Sequence, residues 1–266
     1  MRTFPTPGPI TATIELGAGA VRITAADRAD TEVRVTPRDP LRAADVRGAE
    51  QAHIDFANGA LTVTVGKKLL SLSRGAVNVD IAMPSLSRLA VAVSSADLRV
   101  DGTIGDCRFD AASGTAALDA VEGNIKAATA SGDVAARRVV GNANVATASG
   151  ELSIDGLDGG LKFQAASGSA TVGTLRGSVH SRTASGSLTV AGAESGSISA
   201  ATASGDVEVG VAQGTAANLD LDSRSGTVRS DLTPAAGPEH DDRRLTVHAR
   251  TASGDITIRR ATTVPA

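Results

Sequence analysis

The tripeptide Ala-Ser-Gly recurs along the chain at a spacing that leaves few folds open. Its serines Ser113, Ser131, Ser149, Ser167 and Ser185 stand 18 residues apart. Ser204, Ser225 and Ser253 follow after 19, 21 and 28 residues, and Ser95 sits one period earlier as a degenerate copy. A period this short marks a repeat architecture, in which each unit stacks on a neighbour to complete a core it cannot build alone. A second glycine column, Gly105, Gly123, Gly141, Gly159 and Gly177, lies eight residues before each of the regular serines. Each unit is therefore two segments, each opened by a glycine turn.

Within a segment, apolar residues alternate with polar ones, which is a strand signal. After the Ser-Gly turn they fall three and five positions on, as in Leu152 and Ile154, Leu188 and Val190, Val207 and Val209, and Ile256 and Ile258. Before the turn they fall six and four positions ahead. Cys107 and Phe109, Ile125 and Ala127, Leu161 and Phe163, Leu219 and Leu221, and Val247 and Ala249 occupy these columns.

Short strands at a fixed period, with no room for helices between them, predict an all-β, parallel β-solenoid with two strands per coil. Coils stack at the ordinary inter-strand distance of about 4.8 Å, and two facing sheets lie about 10 Å apart. That thin interior explains a chain of 266 residues with four Phe, no Trp and no Tyr. The handedness preference of parallel connections points to a right-handed coil. About ten coils would run about 50 Å. The turn glycines Gly114, Gly132, Gly150, Gly168, Gly186, Gly205, Gly226 and Gly254 are expected to supply positive φ. Serine, or a following Asp such as Asp133, Asp206 or Asp255, is expected to hydrogen-bond the turn backbone.

Residues 1–94 read as irregular β coils with insertions, and residues 95–266 as the regular repeat, continuous with the first part and effectively one domain. Residues 38–51 read as a loop with a short helix, residues 67–74 as a second insertion and residues 234–242 as a polar loop. The proline-rich start and the tail after Arg260 are candidates to blunt the open ends against edge pairing.

Composition excludes several functions. Single-stranded nucleic acid is bound on aromatic platforms, which this chain lacks, and its formal charge is -3. No apolar run approaches the roughly 20 residues of a membrane span. The lone Cys107 makes no internal disulfide, and the start of the chain has no apolar run, so a cytoplasmic protein is expected. The turn column Thr115, Asp133, Glu151, Ser169, Ser187, Asp206, Thr227 and Asp255 spaces its carboxylates too widely for calcium cages of 6–8 oxygens. The histidines His53, His180, His240 and His248 are scattered, and no Ser/His/Asp or metal-spaced set accompanies them. No cofactor, metal or catalytic residue is expected. The column Thr129, Thr147, Thr183, Thr202 and Thr251, two before the serine, reads either as a polar ladder inside the corner or as a flat outer face of the ice-binding kind.

The repeated Ala-Ser-Gly-Asp-Val turns, the opening Ile14-Glu15-Leu16-Gly17-Ala18-Gly19-Ala20-Val21-Arg22-Ile23-Thr24 and the closing Thr251-Ala252-Ser253-Gly254-Asp255-Ile256-Thr257-Ile258-Arg259-Arg260 carry a resemblance. The sequence resembles a bacterial family of β-strand-repeat proteins often labelled "putative adhesin". The resemblance spans essentially the whole chain. It implies the repeat fold and carries over no catalytic residues.

Charge sorts by column. Five before the serine, outward positions hold Arg108, Lys126, Asn144, Lys162, His180, Ser199, Asp220 and His248, with Arg182 and Arg250 joining at three before. Asp133, Glu151, Asp206 and Asp255 face out two after it. Arg108, Lys126, Lys162, His180 and Arg182 form the candidate interaction stripe. The expected role is a non-enzymatic scaffold or protein-interaction module, docking an acidic protein partner or a second copy of itself. A polysaccharide-lyase-like β-helix enzyme and a ligand- or ice-binding solenoid are the alternatives.

Overall fold

The computed structural model describes residues 1–65, 75–233 and 243–261. The expected insertion at 67–74, the polar loop at 234–242 and most of the tail after Arg260 lie outside them. Among the described residues the chain is nearly all β with one short helix, its strands are mostly parallel, and the arrangement is solenoid-like. It forms two compact units, Met1–Ala136 and Arg137–Ala266.

In the first unit the chain runs β1 (Arg2–Pro5), β2 (Thr11–Ala26), β3 (Asp30–Pro37), α1 (Ala43–Glu50), β4 (His53–Ala57), β5 (Ala60–Thr64) and β6 (Ala76–Pro84). β7 (Arg88–Ile104), β8 (Cys107–Ser113), β9 (Ala116–Glu122) and β10 (Ile125–Thr129) follow. From β7 onward the register is the repeat itself: Leu89 pairs with Cys107, and Cys107 with Ile125, each 18 residues on. The earlier strands do not stack in chain order. β2 lies between β7 on one side and β5 and β6 on the other, all parallel. Antiparallel partners then cover that far edge, β4 on β5 and β3 on β6, with β1 on β3. Antiparallel hairpins are what an exposed parallel edge needs to stop further pairing. The helix expected within 38–51 is α1, and its buried Asp45 carboxylate accepts the backbone N–H groups of Asp39 at 3.2 Å and Ala76 at 3.0 Å.

The second unit contains β12 (Leu152–Ala165), β13 (Ala170–Thr183), β14 (Leu188–Thr202) and β15 (Val207–Val211), after β11 (Val134–Thr147), which begins before the division. β16 (Thr215–Ser223), β17 (Val228–Ser230), β18 (Arg243–Thr251) and β19 (Ile256–Arg260) complete it. β12 and β13 pair at 18 residues along their length, Leu152 with Ala170 through Ala165 with Thr183. The order then changes. β18 pairs with β14 on one side and β16 on the other, and β19 likewise lies between β15 and β17. The last coil in sequence is thus inserted beneath the coil that precedes it, contrary to simple sequential stacking. Leu219 and Leu221, expected in the core, are only half-buried because β16 is paired on one side alone among the described residues.

The inward columns are otherwise as the alternation requires. Phe109 and Phe163 are fully buried, as are Ile154, Val190 and Ile258. A further set of inward residues, Val139, Leu157, Leu175 and Ala193 in the second unit, is not visible in the two-per-segment pattern. It arises where the strict alternation slips by one residue near Gly156, so that Ile154 and Leu157 both point in.

The corner glycines correct one expectation. Positive φ occurs at Gly141, Gly159 and Gly177 (140°, 145° and 139°) and at Gly114 (125°), but not at the other turn glycines expected to show it. Gly132, Gly168, Gly186, Gly205, Gly226 and Gly254 are required for space instead. A Cβ on Gly168 would collide with the carbonyl oxygen of Gly150, and one on Gly186 with that of Gly168. Coils close-pack at this corner backbone to backbone.

Candidate functional site

Three ladders of side chains run across the second unit's coils, and one of them presents basic side chains that make no ion pair among the described residues. The threonine ladder is half-buried or buried and bonds the backbone of its own corner. Gly150 N–H donates to Thr147 Oγ1 at 2.8 Å, Gly205 N–H to Thr202 Oγ1 at 3.1 Å and Gly254 N–H to Thr251 Oγ1 at 3.0 Å. Thr183 Oγ1 donates to the Gly186 carbonyl at 2.7 Å. These hydroxyls satisfy turn backbone that the stacked coils shield from water, so they are no outer ice-binding face.

The acidic column is structural too. Ser187 N–H donates to Ser169 Oγ at 3.2 Å, Asp206 N–H to Ser187 Oγ at 3.1 Å and Asp255 N–H to Asp206 Oδ1 at 2.8 Å. Thr227 N–H completes the run on Asp255 Oδ1 at 2.7 Å. Each turn side chain therefore accepts from its counterpart in the adjoining coil. In the first unit Asp97 and Asp106 do the same for Thr115 and Asn124.

The third ladder faces outward before the turn. Lys162 is the register partner of His180, and Gln164 of Arg182. Neighbouring strands stand about 4.8 Å apart and alternate residues of one strand about 6.6 Å apart, so these four side chains form a grid. With Asn142, Asn144 and Ser178 they line a shallow groove of about 560 Å³. Its floor is open because Gly160, between Asn142 and Ser178, has no side chain; a Cβ there would stand 2.7 Å from Asn142 Oδ1. No carboxylate lines the groove. Among the described residues, Lys162, His180 and Arg182 make no ion pair. Some other bases of this unit are paired, His248 with Asp220 at 3.1 Å, Arg250 with Asp220 at 3.8 Å and Arg259 with Glu208 at 2.6 Å.

The remaining stripe residues, Arg108 and Lys126, belong to the first unit, where they are register partners. Arg108 is tied to Asp110 at 2.6 Å. Cys107 is buried, and burial pushes its thiol up to about 12, as expected of a small core residue. Among the described residues no group of His, Cys, Asp and Glu is placed to hold a metal ion, and no helix is long and apolar enough to cross a membrane.

Comparison with known proteins decides the family. The family described as Toastrack DUF4097 matches residues 12–262. The chain belongs to the Toastrack DUF4097 family. No curated protein matches it. Similar solved structures include a Bacteroides fragilis "putative adhesin", 13% identical with a TM-score of 0.39, covering 97% of this chain and 95% of that one. A Parabacteroides distasonis "putative lipid binding protein" is 14% identical with a TM-score of 0.45 over 97% and 95% of the two chains. A Clostridium sporogenes "putative cell adhesion protein" is 10% identical with a TM-score of 0.25 over 97% and 98%. The resemblance read from the turns of this Toastrack chain is therefore shown at the level of the family.

Column charge alone picked out Lys162, His180 and Arg182 in this Toastrack chain. It left the outward Asn144 out of the stripe and did not reach Gln164 and Ser178, which share the face but carry no charge. Counting neutral hydrogen-bonding residues in the same columns, and noting a glycine among them, would have drawn the groove.

Proposed function

We propose that the protein is a non-enzymatic docking module built on a right-handed parallel β-solenoid, two strands per 18-residue coil, and that it binds an acidic partner through the Lys162–Arg182 groove. One observation carries the reading. Lys162, His180 and Arg182 converge on adjacent coils with no carboxylate beside them, whereas Arg176, Arg243, His248 and Arg259 of the same unit have acid partners. A cationic grid on a hydrogen-bonded sheet attracts a complementary surface, and its backbone is already ordered before binding.

The test is a pull-down from the native cell with the full chain and with the Lys162→Glu/Arg182→Glu double variant. Partners held by the native protein and released by the variant are expected. An identical set held by both contradicts the reading.

A further inference from the structure

We propose that the open end of the second unit joins a second copy of the chain, in a twofold dimer that lays β16 of one copy against β17 of the other. The inference is independent of the Lys162–Arg182 groove.

The second unit ends in two free edges. Among the described residues β16 pairs only with β18, and β17 only with β19. The side chains in their inward register are left unsealed: Leu219 and Leu221 are half-buried, and Val228 is 43% exposed. The edge of the first unit is treated differently. Antiparallel strands cover it, and the Phe4 and Phe56 rings stack there at 5.2 Å. An uncovered edge strand is a template for pairing with another chain.

The ladders show which backbone groups are free. Arg243 N–H donates to the Gly214 carbonyl, and Arg224 N–H to the Thr251 carbonyl. Alternate residues of a parallel strand face the same neighbour. The backbone of Asn218, Asp220 and Asp222 therefore faces β18, and that of Leu219, Leu221 and Ser223 points to the open side. On the other edge Ile256 N–H donates to the Thr227 carbonyl, and Asp231 N–H to the Ile258 carbonyl. The free backbone groups of β17 are thus those of Val228 and Ser230.

Three features select a second copy as the occupant. Both edges lie at one end, so a single peptide strand would close one and leave the other; the end of another copy brings two strands at the same sheet spacing. The second feature is register. β16 and β17 flank the Ser225-Gly226 turn. A twofold axis along the strands exchanges the two edges and keeps each residue at its distance from that turn. It sets Leu221 opposite Ser230 and Ser223 opposite Val228, all residues with free backbone groups, and each such pair exchanges two hydrogen bonds in an antiparallel ladder. The third feature is charge. Between those pairs Asp222 faces Arg229, both exposed and neither ion-paired among the described residues. The same rotation sets Asp220 level with Asp231, and there His248 and Arg250 already answer Asp220. The other twofold, β16 on β16, would oppose Asp with Asp or Asn, and like charges directly opposite are destabilising.

Sedimentation equilibrium of the full chain across a wide concentration range is the test. The native protein is expected to pass from monomer to dimer. Asp222→Lys and Arg229→Glu should each weaken association about tenfold, because like charges then face each other twice in the dimer. Both substitutions in one chain restore opposite charges and should restore the dimer, with circular dichroism confirming that every variant is folded. The Lys162→Glu/Arg182→Glu protein should associate as the native one does. A native protein that stays monomeric throughout, a single variant that associates like the native protein, or a double variant as weak as the single ones overturns the proposal. Loss of the dimer in the groove variant also overturns it.

Discussion

The Glu194 carboxylate stands 2.8 Å from the Nη1 of Arg243, a residue 49 positions later in the chain. Glu194 also accepts from Arg176 Nε at 2.9 Å. One carboxylate thus bridges β13, β14 and β18, across the step where the last coil enters out of sequence. Arg243 opens β18, and its other nitrogen donates to the Gln213 carbonyl at 2.9 Å. The inserted coil is pinned at its first residue.

Replacing Glu194 by Gln removes the anionic half of both pairs and should cost about 1 kcal/mol, the upper range for exposed pairs. The Arg176 hydrogen bond, opposed by desolvation, holds the Glu194 carboxyl below its ordinary range. A depressed carboxyl stabilises the fold above its unfolded pKa and loses that contribution as pH falls through its folded one. Melts of the native and Glu194→Gln proteins should therefore differ at neutral pH and converge in acid. Equal melts at every pH would show that the bridge contributes nothing.

Gly186→Ala places a Cβ against the carbonyl oxygen of Gly168, a backbone atom that can yield only if the coils separate. The expected cost is about 3 kcal/mol, at the upper end for overpacking. Gly156 has only the Arg137 carbonyl oxygen nearby, at 3.8 Å from a built Cβ, so Gly156→Ala should be close to neutral. Denaturant unfolding of both variants checks the contrast, which rests on space at the corner and not on backbone dihedrals.

Thr202→Val keeps the shape of the side chain and removes its hydroxyl. The buried Gly205 N–H then loses its acceptor, at a cost of about 1–3 kcal/mol for an unsatisfied buried donor. A melting midpoint equal to the native one would contradict a threonine ladder that bonds its corner backbone.

Cys107 should resist thiol reagents in the folded protein and react only on unfolding, because burial raises its thiol. A raised thiol adds stability below its unfolded pKa, and that contribution falls away as pH climbs toward about 12. Labelling rates followed across a denaturant series should track global unfolding.

Much of this was legible in the sequence for a physical reason. An exact 18-residue period fixes which residues stack, so Phe109 and Phe163 could be placed in one inward column before any coordinates. The order of the terminal coils was not legible. Parallel coils of equal register are interchangeable partners, and nothing local tells β18 to enter between β14 and β16. The decision is made by contacts distant in sequence, such as Glu194 with Arg243. The glycine column was legible as glycine, but its cause was not, since crowding by the stacked carbonyl is a property of two coils together. The groove was half legible: Lys162, His180 and Arg182 announced themselves by charge, while the floor at Gly160 depends on what its neighbours leave empty.

The most direct measurement of the central claim is retention on a carboxylate matrix at neutral pH and low salt. A chain of formal charge -3 is held there only if a local basic face engages. Lys162→Gln/Arg182→Gln and Arg108→Gln/Lys126→Gln change the net charge equally. The account predicts that the native protein and the second variant are retained alike and that the first variant washes through. Equal loss from both pairs, or retention of the first, would contradict it.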